Sequence, residues 1–405
     1  MVSRRSPMTS SSLSSGSLSG SRPGTLRGSV PETTATIVHL AGSRTSLVKL
    51  APIVAELTRR GAFRQVVVRA DRRADPDRAH EDALEHLDLP AVDRSLDIGI
   101  GTHADQTGRA LLAFERVLLE NRPDSVLVSG DANAALACAL AAFKLGIPVA
   151  HLEAGMRSDD WSTPDEVNRV LTDRICETLF AQDQDDARRL AAEGIAPWRV
   201  HVVGSTRVDF LHRHEAQAEQ LGHWRAIGQE RERYVLLALL RARNLEDPVR
   251  LERIAASVVQ LAGTVPVVFP VDAVTRGRLA AIGAGDALAR AGVLCIEPAP
   301  YLPFLSLQLG AGAVVTDAGS IQEETSIFGV PCFTLGATTE QSLTLTHGTN
   351  LLLGEDPREL AEITLGERAR ERCDSPLWDG RSAERIADVL SAQRAQIEPD
   401  VTQHA

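Results

Sequence analysis

Two acids stand just past short apolar runs in the middle of the chain, and a third opens a helix soon after. Residues 125–129 and 147–152 are apolar, rich in β-branched side chains and bounded by breakers, which predicts two buried strands. The chain leaves them at Asp131 and Glu153. Between them, residues 132–145 are apolar on nearly all sides and closed by Gly146 and Pro148, the pattern of a buried crossover helix. A strand–helix–strand unit pairs its strands in parallel through a right-handed connection. Ligands of open parallel sheets sit beyond the carboxyl ends of the strands, so Asp131 and Glu153 are placed where proton transfer is done. The third acid is Asp165. Thr163 at N-cap, Pro164 at N1 and Glu166 at N3 read as a capping box opening a helix with Val167, Val170, Leu171 and Ile175 inward. The box employs Glu166 as a cap and leaves Asp165 free to face a ligand.

Two further turns could hold an anion. Residues 36–41 predict a strand, Gly42-Ser43-Arg44 a turn, and 46–60 a helix with Leu47, Leu50, Val54 and Leu57 on one face. A cation in a strand-to-helix turn suits an anion, because the helix start adds unpaired N–H groups. With no glycine-rich fingerprint beside it, Arg44 also reads as an ordinary exposed turn arginine. Residues 313–316 predict a strand, 317–320 a turn and 321–328 a helix, with Ser320 and Glu323 as a second capping box. Glycine before a helix start at a strand end could cradle a diphosphate, and an ordinary capped helix reads equally well there.

Positioning these residues takes two sheets. Further strands are expected at 65–68, 200–203, 234–240, 265–269, 293–296 and 331–335. Helices are expected at 107–120, 248–261, 276–290, 301–309 and 382–391, with 210–233 helical and charged and 336–350 a polar loop. Alternating strands and helices in two sets make an α/β chain of two Rossmann-like, doubly wound domains facing a cleft. The expected boundaries are 34–205, completed by a C-terminal helix at 376–395, and 206–375, with tails at 1–33 and 396–405. At 405 residues the chain is long enough to give each domain a core. Residues 1–33, rich in Ser, Gly and Arg, lack the apolar surface to offset ordering and read as a disordered tail without the apolar stretch of a signal peptide. A net charge of -11 with no basic stripe argues against nucleic acid. No apolar stretch approaches a membrane span. Five scattered cysteines without a CxxC pair fit a reducing compartment, hence the cytoplasm.

Several segments together resemble the non-hydrolysing UDP-N-acetylglucosamine 2-epimerases, which have a double Rossmann fold of the glycosyltransferase-B type. GSRTSLVKLAPIV resembles their N-terminal strand–turn–helix. VLVSGDANAALACALAAFKLGIPVAHLEAGMRS is similar to their central stretch, and PDEVNRVLTDR to their P-E-E-x-N-R helix. VVTDAGSIQEETSIFGVP resembles their T-D-S-G-G-x-Q-E-E segment, and WDGRSAERI the closing helix that crosses back onto the first domain. The resemblance implies removal of the sugar C2 proton while the nucleotide leaves C1, an enzyme-bound glycal, and re-addition with the proton returned on the other face. It places Asp131 and Glu153 at two acid/base positions and Asp165 at a third, where the family has Glu. Arg44, Lys49, Gly319, Ser320 and Glu324 fall on substrate- or nucleotide-binding positions, and Phe304 on one that contacts uracil. It further implies a nucleotide-sugar partner, no metal, no cofactor, and a homodimer.

The chain departs from the family on the diphosphate side. The His-Arg-x-x-Asn motif reads Leu240-Arg241-Ala242-Arg243-Asn244, a histidine of the F-P-x-H-P stretch is Asp272, and the R-D-T-T-E-R-P loop loses both arginines, at Gly336 and Gln341. Thr45-Ser46 replaces the Pro-Glu after the first arginine. Losing one donor to a developing anion typically costs about 3 kcal/mol in the transition state. Arg243 would restore one charge if it turned inward. The retained acids favour epimerisation. The remodelled diphosphate side is what a relative that hydrolyses or transfers the sugar would show, or a nucleotide-sugar-binding protein without activity.

Overall fold

The computed structural model of the protein describes residues 34–42, 44–71, 87, 89–366 and 371–401. The first sheet comprises β1 (Ala35–Ala41), β2 (Phe63–Asp71), β3 (Arg94–Asp97), β4 (Ser125–Ser129), β5 (Val149–Leu152), β6 (Thr178–Ala181) and β7 (Val200–Val202), in the order β3-β2-β1-β4-β5-β6-β7. The second comprises β8 (Val235–Ala238), β9 (Val267–Pro270), β10 (Leu294–Ile296), β11 (Ala313–Thr316), β12 (Cys332–Leu335) and β13 (Asn350–Gly354), in the order β10-β9-β8-β11-β12-β13. The named strands pair in parallel. Strand order reverses beside β1 and beside β8, and a crevice opens at each such switch point. Ala41 is level with Ser129, Ser129 with Leu152, and Ala238 with Thr316. Asp131 and Glu153 thus leave the first sheet from adjacent strands at one height.

The strands read as continuous apolar runs because both faces are covered. Val126 and Val128 of β4 pack with Phe114, Leu118 and Cys138 from helices His103–Asn121 and Asn133–Lys144. Leu127, between them, faces Leu47, Leu50 and Leu57 of helix Arg44–Arg60. The closing helix Ser382–Val401 lies on that same side, with Ala383, Ile386, Ala387 and Leu390 buried there. Its first two N–H groups lack partners within the helix. Asp209, in helix Thr206–Leu221, accepts both, from Ser382 N at 3.0 Å and Ala383 N at 2.7 Å. Val48 and Ala51 share a further core with Phe210, Leu302, Leu305 and Val314, so the two sheets are joined by apolar packing as well as by chain crossings.

The structure adds to and corrects the sequence reading. Strands β3, β6 and β13 were not expected. The first has one buried residue, the second is four residues long, and the third starts at the last residue of the stretch read as polar loop. The helix expected at 107–120 starts at His103, where Thr102 and Asp105 form a capping box. The helix expected at 276–290 is two, Ala273–Ala281 and Ala284–Arg290, because Gly283 turns left-handed at φ 70°. The closing helix runs on past Pro399 to Val401, into the segment 396–405 expected as a tail. The expected tail at 1–33, with Ser43 and 402–405, lies outside the described residues. All five cysteines are free, and burial pushes the Cys138 and Cys176 thiols well above their usual range. Among the described residues no helix is long and apolar enough to cross a membrane.

Candidate active site

A cleft of about 220 Å³ opens beyond the carboxyl ends of β4 and β5. From the first sheet's side Asp131, Glu153 and Asp165 line it, with Lys49, Arg169 and Arg207. From the second come Leu240, Arg241, Gly319, Ser320, Glu340 and Gln341. Three expected acids, Lys49, Gly319 and Ser320 thus meet in one place. Arg44 begins helix Arg44–Arg60, but its side chain lies outside the described residues.

Helix Pro164–Ile175 fixes Asp131. Arg169 Nη2 donates to the Asp131 carboxylate at 2.6 Å, and Asn168 Nδ2 donates to its backbone oxygen at 2.9 Å. Burial pushes the Asp131 carboxyl up, but Arg169 and then Lys49 outweigh it and hold the group below the usual carboxylate range. Asp165 shifts the other way, raised by burial and by the charge of Asp131. The capping box expected at Thr163 and Glu166 does not form. Thr163 Oγ1 donates to Asp160 O at 2.8 Å, while Glu166 is buried and turned to the preceding loop. It accepts from Ser158 N and Oγ, each at 3.0 Å, from Asp159 N at 3.1 Å, and from Arg169 Nη1 at 2.7 Å. Four donors on one carboxylate satisfy Glu166 better than a single cap would, and they orient Arg169 toward Asp131.

Glu153 takes φ 67° directly after β5, a left-handed conformation that costs a non-glycine residue roughly 1–2 kcal/mol. Its carboxylate pairs with Lys49 and accepts from Gln182 Nε2 at 3.3 Å. Behind it His151 is buried between Asp173, 2.6 Å from Nδ1, and Gly130 O, 3.2 Å from Nε2. Asp173 also accepts from Gly155 N at 3.1 Å and Arg157 Nη2 at 2.8 Å. This network braces the turn that holds Glu153 in place.

Opposite, Asp317 ties the loop after β8 to the loop after β11. It accepts from Leu240 N at 2.7 Å, Arg241 N at 3.1 Å and Asn244 Nδ2 at 2.7 Å. Arg241 donates to Asp317 O at 2.6 Å and to both Glu340 oxygens at 2.8 and 2.7 Å. The second expected capping box is also absent. Helix Gly319–Phe328 is capped by Ala318 without a side-chain bond, so Ser320 lies within its first turn. Glu323 is buried against Ser205 and Arg207, where burial pushes its carboxyl up to about 7. A helix start without a capping side chain leaves its N–H groups to the cleft.

A neighbouring cavity of about 470 Å³ shares Leu240 and Ser320 with the cleft and is lined by Tyr301, Phe304 and Glu324. Glu324 accepts from Tyr301 Oη at 2.7 Å and Gln308 Nε2 at 2.6 Å and pairs with Arg207 at 3.3 Å. Leu240, where the family motif has histidine, is 64 % exposed and faces both spaces. Asp272 caps helix Ala273–Ala281 through Thr275 N at 2.6 Å. Arg243 pairs with Glu355 at 3.5 Å rather than with the cleft acids. Sequence reasoning did not single out Arg169, Arg207, Arg241 or Glu340. Arg169, Arg241 and Glu340 lay inside motifs already noted, whereas nothing in the local pattern marked Arg207. Among the described residues no cluster of three or more His, Cys, Asp or Glu side chains is arranged to hold a metal ion.

Comparison with known proteins gives one family. The family model described as UDP-N-acetylglucosamine 2-epimerase matches residues 55–391. The UDP-N-acetylglucosamine 2-epimerase of Methanocaldococcus jannaschii is 36 % identical over 361 residues, covering 87 % of this chain and 98 % of the relative. A crystal structure from that organism, in complex with UDP-GlcNAc and UDP, superposes with a TM-score of 0.80 at 35 % identity, covering 88 % of this chain and 99 % of that one. The UDP-2,3-diacetamido-2,3-dideoxy-D-glucuronate 2-epimerase of Pseudomonas aeruginosa is 33 % identical over 363 residues, 88 % of this chain and 99 % of the relative. With its two doubly wound sheets and this match along most of its length, the chain belongs to the UDP-N-acetylglucosamine 2-epimerase family.

Proposed function

We propose that the protein is a nucleotide-sugar 2-epimerase of the UDP-N-acetylglucosamine to UDP-N-acetylmannosamine type. The observation that carries this reading is the single cleft in which Asp131, Glu153 and Asp165 face Arg241 and the start of helix Gly319–Phe328. Elimination takes the C2 proton and breaks the C1–O bond to the diphosphate, leaving a glycal. Re-addition returns a proton to the opposite face of C2 and re-forms the bond. Carboxyls whose proton affinities are pushed apart divide such work between base and acid. Asp131, held ionised by Arg169 and Lys49, suits the proton acceptor. Asp165, which keeps its proton to higher pH, suits the donor, and the two exchange roles in the reverse direction. Glu153 completes the acidic wall. The helix start and Arg241 receive the departing diphosphate, and the cavity beside Phe304 takes the base, with Glu324 at the nucleotide.

In this reading residues 34–205 with the closing helix form the sugar-side domain and 206–375 the nucleotide-side domain. The chain works in the cytoplasm as a homodimer. Exposed Leu112, Leu119, Phe143, Leu145 and Leu171, all on the helical layer covering one face of the first sheet, support the pairing face. Apolar Leu240 at the family's histidine position supports a second reading, loss of the sugar to water or to an acceptor.

Incubation with UDP-N-acetylglucosamine in heavy water, followed at C2 by NMR, separates the two. Deuterium at C2 with the nucleotide still attached is expected, and Asp131→Asn abolishes it without unfolding the chain. Free sugar with UDP favours the second reading. No turnover across a panel of nucleotide sugars sinks both.

A further inference from the structure

We propose that Glu340 is an internal anion that occupies the diphosphate subsite of the free protein, so that the nucleotide binds by displacing it and freeing Arg241. The proposal rests on the nucleotide-sugar reading above and concerns how that site is regulated.

Both Glu340 oxygens accept from Arg241 Nη2, at 2.8 and 2.7 Å. The same carboxylate lies against the first residue of helix Gly319–Phe328. A Cβ on Gly319 would stand 2.6 Å from Glu340 Oε1 and 3.1 Å from Gln341 Cγ. The side chain is only 12 % exposed, and it lines the cleft. It therefore sits on both features that would attract a phosphate there, the open helix start and a guanidinium. A phosphate and a carboxylate cannot share that space, and their like charges repel across a partly desolvated site.

The loop that carries Glu340 is held for this purpose. Thr339 Oγ1 donates to Gln322 Oε1 at 2.5 Å, on the helix whose start Glu340 covers, and Gln341 N donates back to Thr339 Oγ1 at 3.1 Å. The other cations of the cleft are spoken for by acids of the first sheet's side or of the buried layer beneath. Lys49 pairs with Glu153, Arg169 with Asp131 and Glu166, and Arg207 with Glu323 and Glu324. Arg241 has its partner on a loop rather than at a strand end or in the buried layer, and the Glu340 side chain can turn away by rotation about its own bonds while Thr339 stays on Gln322. Displacing Glu340 delivers Arg241 to the diphosphate and clears Gly319 in one movement. Affinity is then a difference between two anions competing for the same donors, and the native carboxylate weakens nucleotide binding.

The test is calorimetric titration of the full-length protein with UDP, comparing wild type, Glu340→Gln, Glu340→Asp and, as a surface control, Glu219→Gln, whose partner is the exposed Arg231. Glu340→Gln keeps the shape and removes the charge, and binds UDP at least tenfold tighter. Glu340→Asp withdraws the carboxylate by one methylene and falls between the two. Glu219→Gln matches wild type. Equal or weaker binding by Glu340→Gln, with wild type binding UDP, overturns the displacement model and leaves the nucleotide reading intact. Should Glu340→Gln not fold, the same decision falls on Glu340→Asp against wild type. If no variant and no wild type binds UDP at millimolar concentration, the nucleotide reading fails and the proposal fails with it.

Discussion

Arg169→Met removes the cation that stands between Asp131 and Glu166 at 2.6 and 2.7 Å. Two unit charges about 4 Å apart attract by about 4 kcal/mol at an effective dielectric of 20 and by about 1 kcal/mol in bulk water. The Asp131 side chain is 43 % exposed, so solvent screening places the pair between these limits, at roughly 2 kcal/mol. Losing that attraction changes the proton affinity of the Asp131 carboxyl. The direction is upward, because burial already pushes that way and Lys49 and a backbone hydrogen bond are left to oppose it. If Asp131 is the base, the acidic limb of the pH profile for deuterium incorporation at C2, measured as kcat/KM, moves to higher pH. Arg169→Lys keeps a charge and moves the limb less. Glu166 retains Ser158 and Asp159 as donors, so the loop it holds stays in place. An acidic limb that superimposes on that of wild type in Arg169→Met refutes the assignment of Asp131, whatever happens to the absolute rate.

Glu323 gives a pH signature in stability. Its folded-state carboxyl is raised from 4.5 to about 7, so the folded chain binds the extra proton between those values and its contribution is lost as pH rises through about 7. The loss is about 3 kcal/mol to order of magnitude. Urea denaturation of Glu323→Gln should show a stability difference from wild type that grows with pH, and a constant difference contradicts the burial argument. Asp209→Ala leaves Ser382 N and Ala383 N uncapped and lowers stability by about 1–2 kcal/mol, with proteolysis beginning in the closing helix. An unchanged denaturation midpoint would show that water replaces the cap. Leu240→His returns a proton donor to the mouth shared by the two cavities and raises kcat for epimerisation by up to about 100-fold, read by the same deuterium assay. A rate no higher than wild type would mean that the leucine is compensated elsewhere.

The central strand–helix–strand unit was legible because burial on both faces leaves an unbroken apolar signature, and an acid following such a strand stands out. Arg169 was harder to see, since its importance lies in three dimensions. It is one arginine on a charged helix until Glu166 turns away from its cap and aims it at Asp131. Both expected capping boxes failed for a related reason. Glu166 and Glu323 have the right spacing for a local bond, but each found more or stronger donors from another segment, at Ser158 and Arg207 respectively. Strands β3 and β13 were missed because an edge strand buries too little to impose alternation. Arg207 carried no pattern at all, because a buried arginine is declared only by the acids that meet it.

The placement of helix Ser382–Val401 on the first sheet's apolar face has a consequence for biosynthesis. Ile37, Leu50 and Leu127 leave the ribosome before any strand of the second sheet, yet Ile386 and Leu390, which cover the same floor, follow only after all of it. The first half to be translated is thus the last to be sealed, and its underside stays bare while the whole second half is produced. A prematurely terminated chain would be an adhesive product rather than a half-working enzyme.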